Sequence, residues 1–381
     1  MSKLTMIATA AFGLEAVVKR ELIDLGLTIR ETENGRVTFE GTTEDLVRCN
    51  LWLRCAERVQ LCMGEFVART FDELFEQTKA LPWEEWIPVN GAFPVEGKSV
   101  KSTLFSISDC QAIVKKAIAT RMGDRYGQGW LPEDGNLFPV QVALLNDRAT
   151  LTIDTSGPGL HRRGYRDHHA PAPLRDTLAS ALVALSYWGP DRILWDPFCG
   201  SGTILVEAAT RGLNMAPGLN REFAAQGWPR IGPEVWDRQR NDALDVIRRD
   251  VTLQILGSDN DDKALRLARR HAHRAGVGDH VKLVHSDFQS MTPPGDYGCL
   301  ITNPPYGERM GELEQVEAMY RDLGVLLGSL ETWSSYVITS HRGFERITGL
   351  KADRKRKLYN GRIQCNYYQY YGPRPPREHR E

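Results

Sequence analysis

From about residue 176 onward the chain alternates short apolar runs with stretches of helical periodicity, and few folds accept that rhythm. The apolar runs are 193–195, 253–257, 281–284, 299–302 and 336–339. The helix-periodic stretches between them include 203–210, 262–275 and 316–328. Strands separated by helices are joined by crossovers, so they lie parallel in one sheet with helices on both faces. The end of the chain departs from this rhythm. Residues 357–359 and 362–371 flank Asn360-Gly361, the favoured pair for a two-residue hairpin turn. The predicted class is α/β, a mostly parallel sheet closed by an antiparallel strand.

The first half reads differently. Residues 1–65 give strand, helix, strand, helix: 4–9 is a short apolar strand and 13–25 has apolar residues at helical spacing. Asn34-Gly35 is a turn, 36–40 alternates as a strand, and 43–56 is a second helix. Helices at 72–80 and 108–122, a short strand at 92–95 and a hairpin pairing 140–145 with 149–154 around Asn146-Asp147 follow. Residues 211–250, rich in Pro, Trp and Arg, interrupt the later rhythm and are expected to form an insertion packed at the rim of the second half. The tail 372–381 is expected to be loose.

Composition narrows the classes. A chain of 381 residues, 41% hydrophobic and 25% charged, can bury a sizeable core and form two or three domains. No apolar run reaches 18 residues, so no membrane helix is expected. The N-terminus lacks signal-peptide features, so a cytoplasmic address is expected. Seven scattered cysteines without a C-x-x-C pair imply reduced thiols and no zinc site. Net charge is −1, but residues 1–155 carry five more acidic than basic side chains and the remainder four more basic than acidic. The positive charge gathers at 161–175 and 346–362, where it can neutralise phosphates.

Four motifs end apolar runs. Asp196-Pro197-Phe198-Cys199-Gly200-Ser201-Gly202-Thr203 opens a helix; its glycines permit close backbone approach, and a carboxylate at a strand end suits a ligand bearing an amine. It is not G-x-G-x-x-G and lacks the lysine of a P-loop. That composition fits the methionine part of S-adenosylmethionine. Asp259, with Asn260 beside it, ends the second strand, where an acid can accept hydrogen bonds from ribose hydroxyls; Asp261 and Asp262 read as helix cap and first-turn acid. Asp287 and Phe288 end the third, suited to an adenine amine and ring, or to a cap and a core aromatic. Asn303-Pro304-Pro305-Tyr306 ends the fourth. The Asn oxygen and the first Pro carbonyl can each accept an N–H from a planar amine, localising its lone pair. The prolines stiffen the loop, and Tyr306 offers a stacking face. His161, Arg162, Arg163, Tyr165 and Arg166 interleave cations with an aromatic, a pattern able to grip phosphate and stack a base. The helix at 108–122 adds Lys115 and Lys116. His161, His168 and His169 resemble a metal cluster only superficially, and no metal is expected.

The run from Ser156 through His161-Arg162-Arg163-Gly164-Tyr165-Arg166, then Ala172-Pro173-Leu174-Arg175-Asp176-Thr177, then the glycine loop, then Asn-Pro-Pro-Tyr-Gly-Glu-Arg, resembles the THUMP-domain RNA guanine-N2 methyltransferases of the bacterial RlmL type. The resemblance covers nearly the whole chain and is most specific over 156–309. It implies a ferredoxin-like subdomain at 1–65, a THUMP RNA-binding domain at 66–160 and a Rossmann-like class I methyltransferase with a seven-stranded sheet at 161–371. It implies that S-adenosylmethionine is the cofactor and 23S rRNA the partner, and that the Ala172 to Thr177 stretch, with Leu174 and Thr177, lies against the cofactor's methionine end; Arg309 is expected to hold the flanking RNA. Some members carry a second methyltransferase domain; this chain is expected to carry only the guanine-N2 activity, as a monomer. The same chemistry on tRNA, or a non-catalytic assembly factor, are the alternatives.

Overall fold

A computed structural model describes residues 3–166, 174–306 and 313–376. They form two units, one made of Met1–Ala10, Val18–Leu160 and Arg221–Asp242, the other of Ala11–Val17, His161–Asn220 and Ala243–Glu381.

The first half of the chain contributes β1 (Leu4–Ala10), α1 (Glu15–Asp24), β2 (Thr28–Glu33), β3 (Arg36–Gly41), α2 (Thr43–Trp52), β4 (Ala56–Val67), α3 (Phe71–Lys79), β5 (Val95–Val100), α4 (Ile107–Tyr126), β6 (Val140–Leu145) and β7 (Arg148–Asp154). Capping boxes at Thr42/Asp45 and Thr70/Glu73 start α2 and α3 by satisfying amides that a helix's first turn leaves bare. The strands form one sheet, β2-β3-β1-β4-β7-β6-β5, with only the β5–β6 pair parallel. β4 is its joint: Ala56 through Leu61 pair with β1, and Gln60 through Val67 pair with β7. A domain boundary at residue 65 therefore falls inside a strand. The sequence reading missed β2 and β4. β2 is a charged edge strand whose residues are mostly exposed, so it carries no apolar alternation. The expected helix at 43–56 stops at Trp52 because Leu53 is already extended and leads into β4.

The segment 211–250 corrects the expected rim insertion. Residues 221–242, including most of a helix α7 (Pro233–Asp245), belong to the first unit. Trp228 is buried, stacked on Phe138 at 4.8 Å, with its indole N–H donating to the Leu137 carbonyl at 2.9 Å. Arg230 lies over the Trp86 ring and pairs with Glu85 at 2.8 Å, and Arg238 pairs with Glu44. Trp228, Arg230 and Arg238 thus meet side chains far away in sequence.

The second unit contains α5 (Asp176–Ala184), β8 (Leu194–Asp196), α6 (Thr203–Gly212), β9 (Ile255–Asp259), α8 (Asp262–Arg274), β10 (Val281–His285), β11 (Cys299–Thr302), α9 (Leu313–Ser329), β12 (Ser334–Thr339), α10 (Phe344–Thr348), β13 (Arg354–Asn360) and β14 (Ile363–Tyr370). The sheet order is β10-β9-β8-β11-β12-β14-β13, parallel through β12, with β14 antiparallel to β12 and to β13. Every strand expected from the apolar runs is present, and Asn360-Gly361 makes the expected hairpin turn. Trp195, Leu300, Tyr320, Trp333, Phe344 and Tyr368 belong to one buried cluster beneath α9 and α10. In such a sheet ligands bind beyond the carboxyl ends of the strands, where the order reverses; here that is the gap after β8 and β11.

Candidate active site

β8 ends at Asp196, which is 2% exposed. Its Oδ1 accepts from Thr302 Oγ1 at 2.6 Å and from the Phe198 amide at 3.1 Å. Burial pushes this carboxyl up to about 7, and the nearby Asp259 charge adds to the shift against those two hydrogen bonds. Thr302, not singled out from the sequence, thus ties the glycine loop to the strand that carries Asn303.

The two loop glycines have different tasks. Gly200, at φ 51°, faces open space, and its amide donates to Asp259 Oδ2 at 2.8 Å. Gly202, at φ 79°, caps α6, and a Cβ there would lie 3.0 Å from that of Ala268 on α8. Gly202 therefore serves close helix packing more than ligand approach, which corrects one half of the expectation. Asp259 Oδ1 accepts from the Asp261 amide, and Asp261 caps α8 through the Lys263 amide.

Two cavities lie side by side, sharing Phe198. The first, about 410 Å³, is lined by Leu174, Asp196, Gly200, Thr203, Lys263 and Asn303, among others. The second, about 430 Å³, is lined by Asp259, Asn260, Asp287, Phe288 and Met319, among others. Phe198 and Phe288 meet at 4.8 Å between ring centroids. Asp287 also caps a short helical turn through the Gln289 amide and Phe288 also joins the core, so structural roles coexist with their places in the wall. Thr177 is buried in α5 and is not part of either wall. The helix expected at 316–328 is present as α9, but the sequence reading assigned it no part in the site; it presents Gln315, Met319 and Asp322 to the second cavity at spacings of four and three, one face of a helix.

The Asn303–Tyr306 loop is held from three directions. Tyr306 Oη donates to Asn303 Oδ1. Tyr320 of α9 donates to the Pro305 carbonyl at 2.8 Å and bonds Thr339 Oγ1 at 2.8 Å. Cys365 Sγ lies 3.8 Å from Tyr306 Oη. A carbonyl oxygen has two lone pairs, so Asn303 can accept from Tyr306 and from an amine together. Pro304 is buried and Pro305 exposed.

The 161–166 segment overturns its RNA-facing expectation at three positions. Arg163 is 5% exposed and grips Glu207 of α6 with two nitrogens, at 3.1 and 3.3 Å. Tyr165 is buried and donates to Asp176. Arg166 pairs with the same carboxylate at 2.8 Å and donates to Thr203 Oγ1. These side chains brace α5 and α6 behind the first cavity. His161 is half-buried and Arg162 exposed. In the first unit, Lys115 is drawn onto the Phe93 ring at 3.7 Å and paired with Glu133, while Lys116 stays exposed. Arg309, His168, His169, Ala172 and Pro173 lie outside the described residues.

Comparison with known proteins places this geometry. Residues 163–369 match the RMKL-like methyltransferase domain, 5–60 the RlmL ferredoxin-like domain, and 68–154 the THUMP domain. "Putative RNA methyltransferase YpsC" of Bacillus subtilis is 47% identical over the full length of both chains. "Ribosomal RNA large subunit methyltransferase K/L" of Syntrophotalea carbinolica is 36% identical over 94% of this chain, which spans about half (52%) of that relative. Among solved structures, SMU.472, "a putative methyltransferase complexed with SAH", superposes with TM-score 0.93 at 43% identity, covering 99% of this chain and all of that one. A "predicted N6-adenine-specific DNA methylase" from Listeria monocytogenes gives TM-score 0.94 at 48% identity over 98% of this chain and 97% of its own. With this family match over more than half its length, the chain belongs to the RMKL-like methyltransferases, joined to an RlmL-type ferredoxin-like domain and a THUMP domain.

Proposed function

We propose that the protein transfers a methyl group from S-adenosylmethionine to the exocyclic N2 of a guanine in 23S ribosomal RNA. The observation that carries this reading is Asn303: it lines the cavity of Asp196 and the glycine loop, and it opens the Asn-Pro-Pro-Tyr loop. The first cavity holds the methionine part, with Asp196 facing its amine; the second holds the nucleoside, with Asp259 on the ribose and Asp287 and Phe288 on the adenine. Asn303 Oδ1 and the Pro304 carbonyl accept the two N–H groups of the guanine amine, and Tyr306 covers the base. The nitrogen lone pair attacks the sulfonium methyl carbon. The C–N bond forms, the S–C bond breaks, S-adenosylhomocysteine leaves, and the amine gives up one proton to water. Catalysis is positioning and electrostatic preorganisation.

The THUMP domain and the ribosomal RNA relative support an RNA substrate, and a cytoplasmic site of action accords with it. An adenine or a tRNA guanine presents the same kind of amine to the same loop. The deciding experiment is labelled methyl transfer to unmodified 23S rRNA, 16S rRNA and bulk tRNA, with nucleoside mass spectrometry. N2-methylguanosine in 23S rRNA alone is the expected product; N6-methyladenosine, or product in tRNA alone, would replace the substrate. Asn303→Ala should lower the transfer rate by about a hundredfold or more with cofactor affinity unchanged. Wild-type turnover in that variant would overturn the role of Asn303.

A further inference from the structure

The second unit carries an aromatic pair that the cavities do not use. Phe12, 49% exposed, meets Tyr359 of β13 edge to face at 5.8 Å. The contact is built in: Gly13, at φ 91°, lies so close to β13 that a Cβ would sit 2.7 Å from the Lys357 carbonyl. Only glycine tolerates both that angle and that approach, so the residue before it is fixed beside the strand edge. Lys357 Nζ lies 5.5 Å from the Tyr359 ring centroid. Residues 354–362 hold five Lys or Arg and no acid. Of these, Arg354, Lys355, Lys357 and Arg362 are exposed.

Two ties place this patch at the rim of the active site. Leu358 pairs in register with Cys365, whose sulfur lies 3.8 Å from Tyr306 Oη, and Tyr359 is the next residue. Asn360 Oδ1 accepts from the Arg175 amide at 3.3 Å, and the neighbouring Leu174 lines the cavity that Asn303 also lines. Half-exposed rings beside Arg354, Lys357 and Arg362, which none of the described ion pairs engages, suit a strand whose bases stack while its phosphates are neutralised. A duplex would keep its bases paired and out of reach of such rings.

We propose that Phe12 and Tyr359, with Lys357 and Arg362, form a platform that binds the single-stranded RNA flanking the methylated nucleotide. The proposal rests on RNA being the substrate. It adds to the Asn-Pro-Pro-Tyr loop a surface that selects an unpaired context around the target rather than the target itself.

The test uses the full chain and two fluorescein-labelled single-stranded RNA heptamers centred on guanosine, one complete and one abasic at the two flanking positions. Wild type should prefer the complete oligomer. Tyr359→Leu and Phe12→Leu should each weaken its binding by roughly five- to a hundredfold and abolish that preference, while Tyr359→Phe retains both. Lys357→Ala should lower the slope of log affinity against log salt by about one for either oligomer. S-adenosylmethionine affinity, measured in parallel, should stay at the wild-type value in every variant; a variant that loses it has lost its fold, and the remaining variants decide. Equal binding of the two oligomers by wild type, or full preference in both Leu variants, overturns the platform. If those Leu variants instead weaken binding of a polyglutamate peptide and leave RNA untouched, the surface serves an acidic protein partner and the proposal fails. The two readings fail separately: base-dependent binding without methyl transfer to any RNA sinks the proposed function alone, whereas N2-methylguanosine formed at full rate by the Leu variants sinks the platform alone.

Discussion

Two stretches of the second unit look alike as sequence: His161-Arg162-Arg163-Gly164-Tyr165-Arg166 and Arg354-Lys355-Arg356-Lys357-Leu358-Tyr359. Each interleaves cations with a tyrosine. The first turns inward, with Arg163 on Glu207 and with Tyr165 and Arg166 on Asp176. The second lies on an edge strand, where Glu345 engages Lys355 at 2.7 Å and the other described ion pairs leave Arg354 and Lys357 out. The difference is set by the acids that the fold brings near. A buried carboxylate makes a cation part of the scaffold; without one, the same side chain stays in water, where phosphates can reach it.

Removing the inward contacts should cost most. Arg163→Ala strands Glu207, 2% exposed as a side chain, and should lower unfolding free energy by about 3–5 kcal/mol in urea titration. A loss below about 1 kcal/mol would mean that the buried pair is not structural. Asp196 tests an acid left without a cation. Its carboxyl is raised to about 7, so the folded chain holds that proton more tightly than the unfolded chain. Its contribution to stability is present below the ordinary carboxylate range and is lost as pH rises through about 7. A cationic cofactor favours the ionised form, so affinity for S-adenosylmethionine should rise by up to about tenfold per pH unit below 7 and then level off. Asp196→Asn should flatten that profile in titrations from pH 5.5 to 8; an unchanged slope would remove Asp196 from the cofactor's charge. Smallest of all, Arg354→Ala should change stability by no more than about 0.5 kcal/mol in the same urea titration that registers Arg163→Ala. A loss comparable to that of Arg163→Ala would erase the contrast between the stretches.

The same contrast explains what was legible beforehand. β9, β11 and β12 were visible as apolar runs because both faces of a parallel sheet are covered. Asp196 and Asn303 were visible because each follows such a run directly. Arg163 was misread because its partner is 44 positions away, and a run of cations does not reveal which acid will meet it. Trp228 and its arginines were misplaced for the same reason: Phe138, Trp86 and Glu85 are distant in sequence. β2 left no trace because a charged edge has no buried face to impose alternation.

β4 has a further consequence. One strand supplies pairing edges to β1 and to β7, so whatever register the ferredoxin-like half adopts is transmitted to the THUMP half. Side chains along a strand alternate between faces, so one residue added to β4 turns every later inward position outward unless a bulge absorbs it. β4 already carries two such irregularities, at Glu57 against β1 and at Met63 against β7. Between those two irregularities the pairing is continuous, so an insertion there should disrupt it more than one beside Glu57 or Met63.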